Sequence, residues 1–147
     1  MELINKTQCP SHLLLPIIEH AQKSIGTNCE IVKITQSHSE RVTGLAIRPS
    51  SVKVSLPKYR HDSLSCAYRF WRVLLHEFGH IKDYGLGSLV EFAYYKPGRV
   101  NAMRHDDRPH EIRANAYVTE VERRITSREL TGCDNAILNL AIWMEER

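Results

Sequence analysis

Residues 76–80 read His76-Glu77-Phe78-Gly79-His80, and no other stretch narrows the possible folds of this chain as much. Two histidines four apart on a helix share one face, so both imidazoles can reach a single metal ion. Glu77 lies about 100° round the helix from His76, where it can reach a water beside the metal without binding the metal itself. A metal lowers the pKa of such a water but accepts no proton, so a base is needed at that place. The flanks fit a helix: Trp71, Leu74, Leu75, Phe78 and Ile81 form an apolar face centred roughly 160° from the histidines on a 3.6-residue wheel. The helix is therefore expected to pack its apolar side inward and turn the histidines the other way. Gly79 would let a neighbouring element come close.

A catalytic zinc site usually takes three protein ligands and keeps one position open. The HExxHxxGxxH spacing fails here, because Asp83 stands at its glycine and Leu86 at its third histidine. Asp83 cannot join the histidines, since His76 to Asp83 spans about 10.5 Å of helix rise. It reads as a solvated or capping carboxylate. Glu111 is the preferred third ligand. Asn115 follows four residues later on the same face, where it can accept the proton on the free nitrogen of a ligand histidine and fix its tautomer. His105, Asp106, Asp107 and His110 compete with Glu111, and spacing alone does not eliminate them.

Around the motif the chain reads as a first helix over about 11–25, with Ser11 as N-cap and Gly26 as stop. Short β-like runs follow at Glu30–Thr35, Val42–Ile47 and Ser51–Leu56, closed by Pro57. The motif helix should run from about Asp62 to Tyr84 and stop at Gly85 and Gly87. Residues 85–108 hold Tyr94, Tyr95 and a Pro97-Gly98 turn, and a stretch of that length is expected to be partly ordered. A helix from Pro109 to about Ile125, capped by Asp107, comes next. Thr126-Ser127-Arg128-Glu129 has capping-box form, and Asp134 should cap a last amphipathic helix through Ile137, Leu140, Ala141 and Met144. A small sheet among segregated helices makes the fold class α+β, and residues 1–147 read as a single domain.

Composition excludes several other classes. With 42% apolar and 25% charged residues, the chain is an ordinary globular one. Its net charge of +3 comes from 20 scattered basic residues, which is no basic stripe and argues against nucleic acid as a direct ligand. No run approaches the roughly 18 apolar residues of a membrane span, and Pro16 interrupts the longest N-terminal one. Cys9, Cys29, Cys66 and Cys133 lie far apart without a CxxC pair. They read as reduced thiols, and with no secretion signal the expectation is a cytoplasmic protein.

His76-Glu77-Phe78-Gly79-His80 followed by Glu111-Ile112-Arg113-Ala114-Asn115-Ala116-Tyr117 resembles the ImmA/IrrE-type metallopeptidases, whose pattern is HExxH, then E-x-x-A-N with an aromatic two residues on. The strand at 52–56 and the basic-aromatic stretch Tyr68-Arg69-Phe70-Trp71-Arg72 also look like that family, and the likeness covers roughly residues 50–125. It implies a zincin-like fold in which His76, His80 and Glu111 hold Zn2+, Glu77 is the catalytic base and Asn115 supports a ligand. The implied reaction is hydrolysis of a peptide bond in a protein or peptide substrate, such as a regulator or repressor. Hydrolysis also needs a second electrophile for the oxyanion, for which Tyr94, Tyr95, His105, Arg108, His110 and Tyr117 are candidates. Two alternatives belong to other classes: a catalytically silent, zinc-stabilised regulatory or protein-binding module, and an SprT-like protease acting on DNA-bound proteins. Glu77 argues against the first, and the lack of a zinc ribbon or basic tail against the second.

Overall fold

A computed structural model describes residues 1–57, 62–86 and 104–147. Strand β1 (Glu2–Asn5) leads into helix α1 (Ser11–Ile25) and then strands β2 (Ile31–Ser37), β3 (Gly44–Ile47) and β4 (Ser51–Pro57). Helix α2 (Ser63–Leu86), a 3₁₀ turn (His105–Asp107), helix α3 (Pro109–Thr126) and helix α4 (Asp134–Glu145) complete the described elements. The sheet is mixed, in the order β1-β2-β4-β3: β1 runs parallel to β2 and β2 to β4, while β3 pairs antiparallel with β4 at one edge. A parallel neighbour needs a crossover, which α1 supplies between β1 and β2. The fold is thus α+β, as expected from the element pattern.

Alternation along the strands decides which face is covered. Val32, Ile34, Val52 and Val54 are buried, whereas Lys53 between the last two is exposed. Helices α1 and α2 pack together, α2 also meets β3 and β4, and α2 is flanked in addition by α3 and α4. Phe70, Leu74, Leu75 and Phe78 of α2 are fully buried, each contributing roughly 1.5–3 kcal/mol relative to exposure. The opposite face of α2 is not left to solvent, because α3 lies over it. Among the described residues, no helix is long and apolar enough to cross a membrane.

Several local expectations are corrected. No strand was expected at 2–5: four residues carry too little alternation to be seen, and β1 is held by pairing with β2, with Glu2 N–H donating to Glu30 O at 2.7 Å and Lys6 N–H to Ile34 O at 2.8 Å. Ser11 is the first residue of α1 rather than its cap, and its hydroxyl accepts from Asn5 Nδ2 at 3.1 Å. At the other end Gly26 does stop the helix, at φ 75°, a left-handed conformation that glycine takes without penalty. Gly85 does not stop α2, which continues to Leu86; Gly87, Tyr94, Tyr95 and the Pro97-Gly98 turn lie outside the described residues.

Asp107 belongs to the 3₁₀ turn, and Arg108 precedes α3 with Pro109 at its first position, where a missing N–H costs nothing. Thr126 to Glu129 ends a helix instead of starting one. The Thr126 hydroxyl donates back to Glu122 O at 3.0 Å, Arg128 has φ 64°, and Glu129 pairs with Arg123 at 3.4 Å. Asp134 is the first residue of α4, with no side-chain cap bond at that end.

Candidate metal centre

One turn of α2 separates His76 from His80, and their rings meet edge to face with centroids 4.8 Å apart. Both turn Nε2 toward the same point, 3.2 Å from each other. Glu111, in the first turn of α3, is buried and brings its carboxylate to that point. Its Oε2 lies 2.8 Å from His76 Nε2 and its Oε1 lies 3.1 Å from His80 Nε2. The three residues are a group that can hold a metal ion. A tetrahedral zinc with bonds of about 2.0–2.1 Å has ligand atoms about 3.3–3.4 Å apart, close to the separations here.

Asn115, one turn along α3, places Oδ1 2.8 Å from His76 Nδ1. A carbonyl oxygen only accepts, so Nδ1 carries the hydrogen and the lone pair of neutral His76 sits on Nε2, aimed at Glu111. Lone-pair-bearing atoms of His76 and Glu111 therefore face each other at 2.8 Å, and a proton or a cation must lie between them. The donor set fits a metal for that reason. The same need shows in the titration of His76. Burial works against its charged form, but the hydrogen bond to Glu111, the charges of Glu77 and Glu111, and Asn115 outweigh it and raise its pKa above the usual histidine value. Burial likewise pushes Glu111 up, but hydrogen bonds and charge from His76 and His80 prevail and hold it well below the usual carboxylate range.

Glu77 stands outside the ligand group. It is buried, and burial, helped by the charge of Glu111, raises its pKa against the lowering effects of His76, His80 and a hydrogen bond from the Ala46 backbone. Strand β3 presses directly on it: a Cβ placed on Gly44 would lie 2.7 Å from Glu77 Cγ and 2.9 Å from its Oε1. Gly44 is thus a residue that shapes the site and that the sequence reading passed over. The available signal was a glycine inside a β-like run, which often marks close approach by another element.

Two contacts set the spacing of α2 and α3. Gly79 admits the Tyr117 ring, since a Cβ there would lie 2.8 Å from Tyr117 Cδ2 and 3.5 Å from Ala114 Cα, in line with the role expected of it. Asp83 is neither solvated nor a cap. It is buried and accepts from Arg113 Nε at 2.9 Å, Arg113 Nη2 at 2.7 Å and the Tyr117 hydroxyl at 2.7 Å. It lies one turn after His80, on the face that α3 covers, and its partners are 30 and 34 residues away. Burial and the Asp83 carboxylate push the Tyr117 phenol up to about 12.

The competitors for Glu111 fall into two groups. Asp106 and Asp107 are exposed on the 3₁₀ turn. His105 and His110 both face Glu111, at 3.3 Å and 3.6 Å, but neither joins the three-residue ligand group. Burial, with the charges of His80, Arg108 and His105, lowers the pKa of His110 despite the opposing effect of Glu111. Comparison with protein-family models, curated proteins and solved structures found no match. The chemistry of this centre therefore rests on its geometry.

Proposed function

We propose that this chain is a zinc-dependent endopeptidase of zincin-like fold that hydrolyses a peptide bond in a protein substrate. The observation that carries the reading is the meeting of His76 Nε2, His80 Nε2 and the Glu111 carboxylate, with a separate buried carboxylate, Glu77, alongside. Two imidazoles and one carboxylate make a donor set suited to zinc. When bound, zinc would supply a Lewis acid that polarises a carbonyl and lowers the pKa of a water.

In this reading Glu77 does the proton work. A general base is most effective when its pKa approaches the working pH, and burial moves Glu77 in that direction. It takes a proton from the attacking water and later delivers it to the leaving amine nitrogen. The Ala46 N–H holds its carboxylate in place meanwhile.

Strand β3 supports a peptide as the substrate. Ser55 N–H donates to Thr43 O at 2.8 Å, so antiparallel alternation turns the backbone groups of Gly44 and Ala46 to the outer edge of the sheet. There the Ala46 N–H meets Glu77, and the Gly44 N–H and both carbonyls face an added strand. An extended chain added to that edge runs past Glu77, with main-chain hydrogen bonds holding it. A regulator or repressor is the substrate class that the ImmA/IrrE-type resemblance adds.

Glu77→Gln tests this reading. Glutamine keeps the size and accepts the Ala46 hydrogen bond but takes no proton, so folding and zinc content should stay at wild-type levels. Cleavage, read by mass spectrometry on a proteome-derived peptide library, should fall at least 10²-fold. Equal cleavage by Glu77→Gln and wild type would leave a zinc-binding module and no enzyme.

A further inference from the structure

Four imidazoles surround the Glu111 carboxylate, which is twice the number that the proposed ligand set uses. His76 and His80 approach from α2; His105 Nε2 lies 3.3 Å from Oε2 and His110 Nε2 3.6 Å from Oε1. They differ in exposure: the His76, His80 and His110 side chains are 19%, 7% and 33% exposed, and that of His105 is 67% exposed. His105 therefore stands beside a ligand residue and is open to whatever enters from solvent.

Its hydrogen is assigned by its partner. The 3.3 Å approach is a charge contact and not a hydrogen bond. The carboxylate favours the tautomer with its hydrogen on the Nε2 that faces it, so this N–H is turned toward the centre and stays available to an incoming acceptor, and neutral imidazole suffices for that. Two other donors near the site are committed elsewhere: the Tyr117 hydroxyl donates to Asp83 and accepts from Arg113, and His76 Nδ1 serves Asn115. The 3₁₀ turn that carries His105 is fastened to the start of α3 by Arg108 N–H donating to His105 O at 3.2 Å and Glu111 N–H donating to Arg108 O at 2.9 Å. The donor and the ligand Glu111 are thereby fixed to one short segment.

We propose that His105 is a further catalytic residue of the peptidase reaction, donating its Nε2–H to the carbonyl oxygen of the scissile bond as negative charge develops there. The role rests on the peptidase reading above. Water oxygen adds to the carbonyl carbon while Glu77 takes the water proton, and the π pair moves onto the carbonyl oxygen, where the His105 N–H meets it. The pair then re-forms the carbonyl, the C–N bond breaks, and Glu77 passes its proton to the nitrogen, giving a carboxylate and an amine once the acid ionises. His105 keeps its proton throughout. A donor held beside the site before reaction needs no reorganisation when the charge appears.

The test compares His105→Ala, His105→Gln and His110→Ala with wild type. It reads zinc content by elemental analysis, kcat and KM on the best peptide from a library screen, and affinity for an N-phosphoryl dipeptide whose tetrahedral anion imitates the oxyanion. His105→Ala should keep about one zinc per chain and a KM near that of wild type. Its kcat and its affinity for the phosphoryl dipeptide should each fall about 10²–10³-fold. His105→Gln, which restores an N–H donor, should recover part of both, and the pH profile should keep its shape because His105 transfers no proton. Wild-type kcat and probe affinity in His105→Ala overturn the proposal, as does a loss that falls on His110→Ala instead. Loss of zinc from both His105 variants also overturns it, by making His105 a ligand. A wild type that holds zinc but neither cleaves peptides nor binds the phosphoryl dipeptide removes the peptidase reading itself, and this role with it.

Discussion

Replacing Gly79 by alanine tests the close packing of α2 on α3 that the centre depends on. Alanine is the better helix former by about 1 kcal/mol, so an unobstructed Gly79→Ala would stabilise the protein. The added Cβ would instead lie 2.8 Å from Tyr117 Cδ2, about 0.7 Å inside ordinary carbon contact. The ring cannot simply swing away, because its hydroxyl bonds Asp83 at 2.7 Å and Arg113 Nη2 at 3.2 Å. Helix α3 must yield, and overpacking of this kind costs about 1–3 kcal/mol. Set against the helix gain, a net loss of about 1 kcal/mol is expected in urea unfolding of the metal-free protein. Glu111 rides on the same helix, so its carboxylate also withdraws from His76 and His80, and zinc affinity measured by chelator competition should fall at least about tenfold. A metal-free variant that is more stable than wild type, with unchanged zinc affinity, refutes the argument.

The ligand assignment makes a graded prediction. His76→Ala, His80→Ala or Glu111→Ala should each empty the site in elemental analysis, whereas Asn115→Ala should keep it and bind about 10–100-fold more weakly. Retention of zinc by a His76/His80 double alanine variant would contradict it. For the metal-free protein, pH dependence follows from the two shifted groups of the candidate centre. The raised pKa of His76 contributes stability that is present below about pH 6.5 and lost as pH rises through the folded value. The depressed pKa of Glu111 contributes stability that is present above about pH 4.5 and lost as pH falls. Denaturant midpoints should therefore show the contribution of this pair greatest between about pH 4.5 and 6.5, and Glu111→Gln should flatten the profile there. Zinc affinity should run the other way across the histidine range, rising with pH as the imidazoles lose their protons.

Helical spacing made much of the centre legible. His76 with His80, and Glu111 with Asn115, are each four residues apart, and a single periodicity places each pair on one face. Gly79 was legible for a related reason, since a glycine inside a strongly helical pattern calls for a close neighbour. What escaped depends on partners far along the chain. Asp83 looked solvated because it follows an apolar helix face and its partners, Arg113 and Tyr117, sit on another helix. Strand β1 is too short to show a pattern and exists through its pairing with β2. Gly44 matters through what presses on it, Glu77 and Val73, and no local property of residues 42–47 names those neighbours. The caps at Ser11, Asp107 and Asp134 were misplaced by a residue or more because the helix ends here are set by backbone geometry and proline.

The contacts between α2 and α3 also bear on whether metal builds the fold or fills a site already built. In a small zinc-dependent domain the ion replaces a core, and removing it unfolds the chain. Here the helix pair is held by the buried Asp83–Arg113–Tyr117 cluster and by Gly79 against Tyr117, none of which needs an ion. Phe70, Leu74, Leu75 and Phe78 tie α2 into the core independently. Metal-stripped protein should therefore keep its far-UV circular dichroism and unfold cooperatively. Zinc should add stability only through binding, about 4 kcal/mol at free zinc a thousandfold above its Kd. A catalytic centre needs this order of events, because the pocket must hold its shape around an ion with an open position. Loss of helical signal on chelation would instead make the zinc a structural element, and the case for an enzyme would lose the preformed site on which it stands.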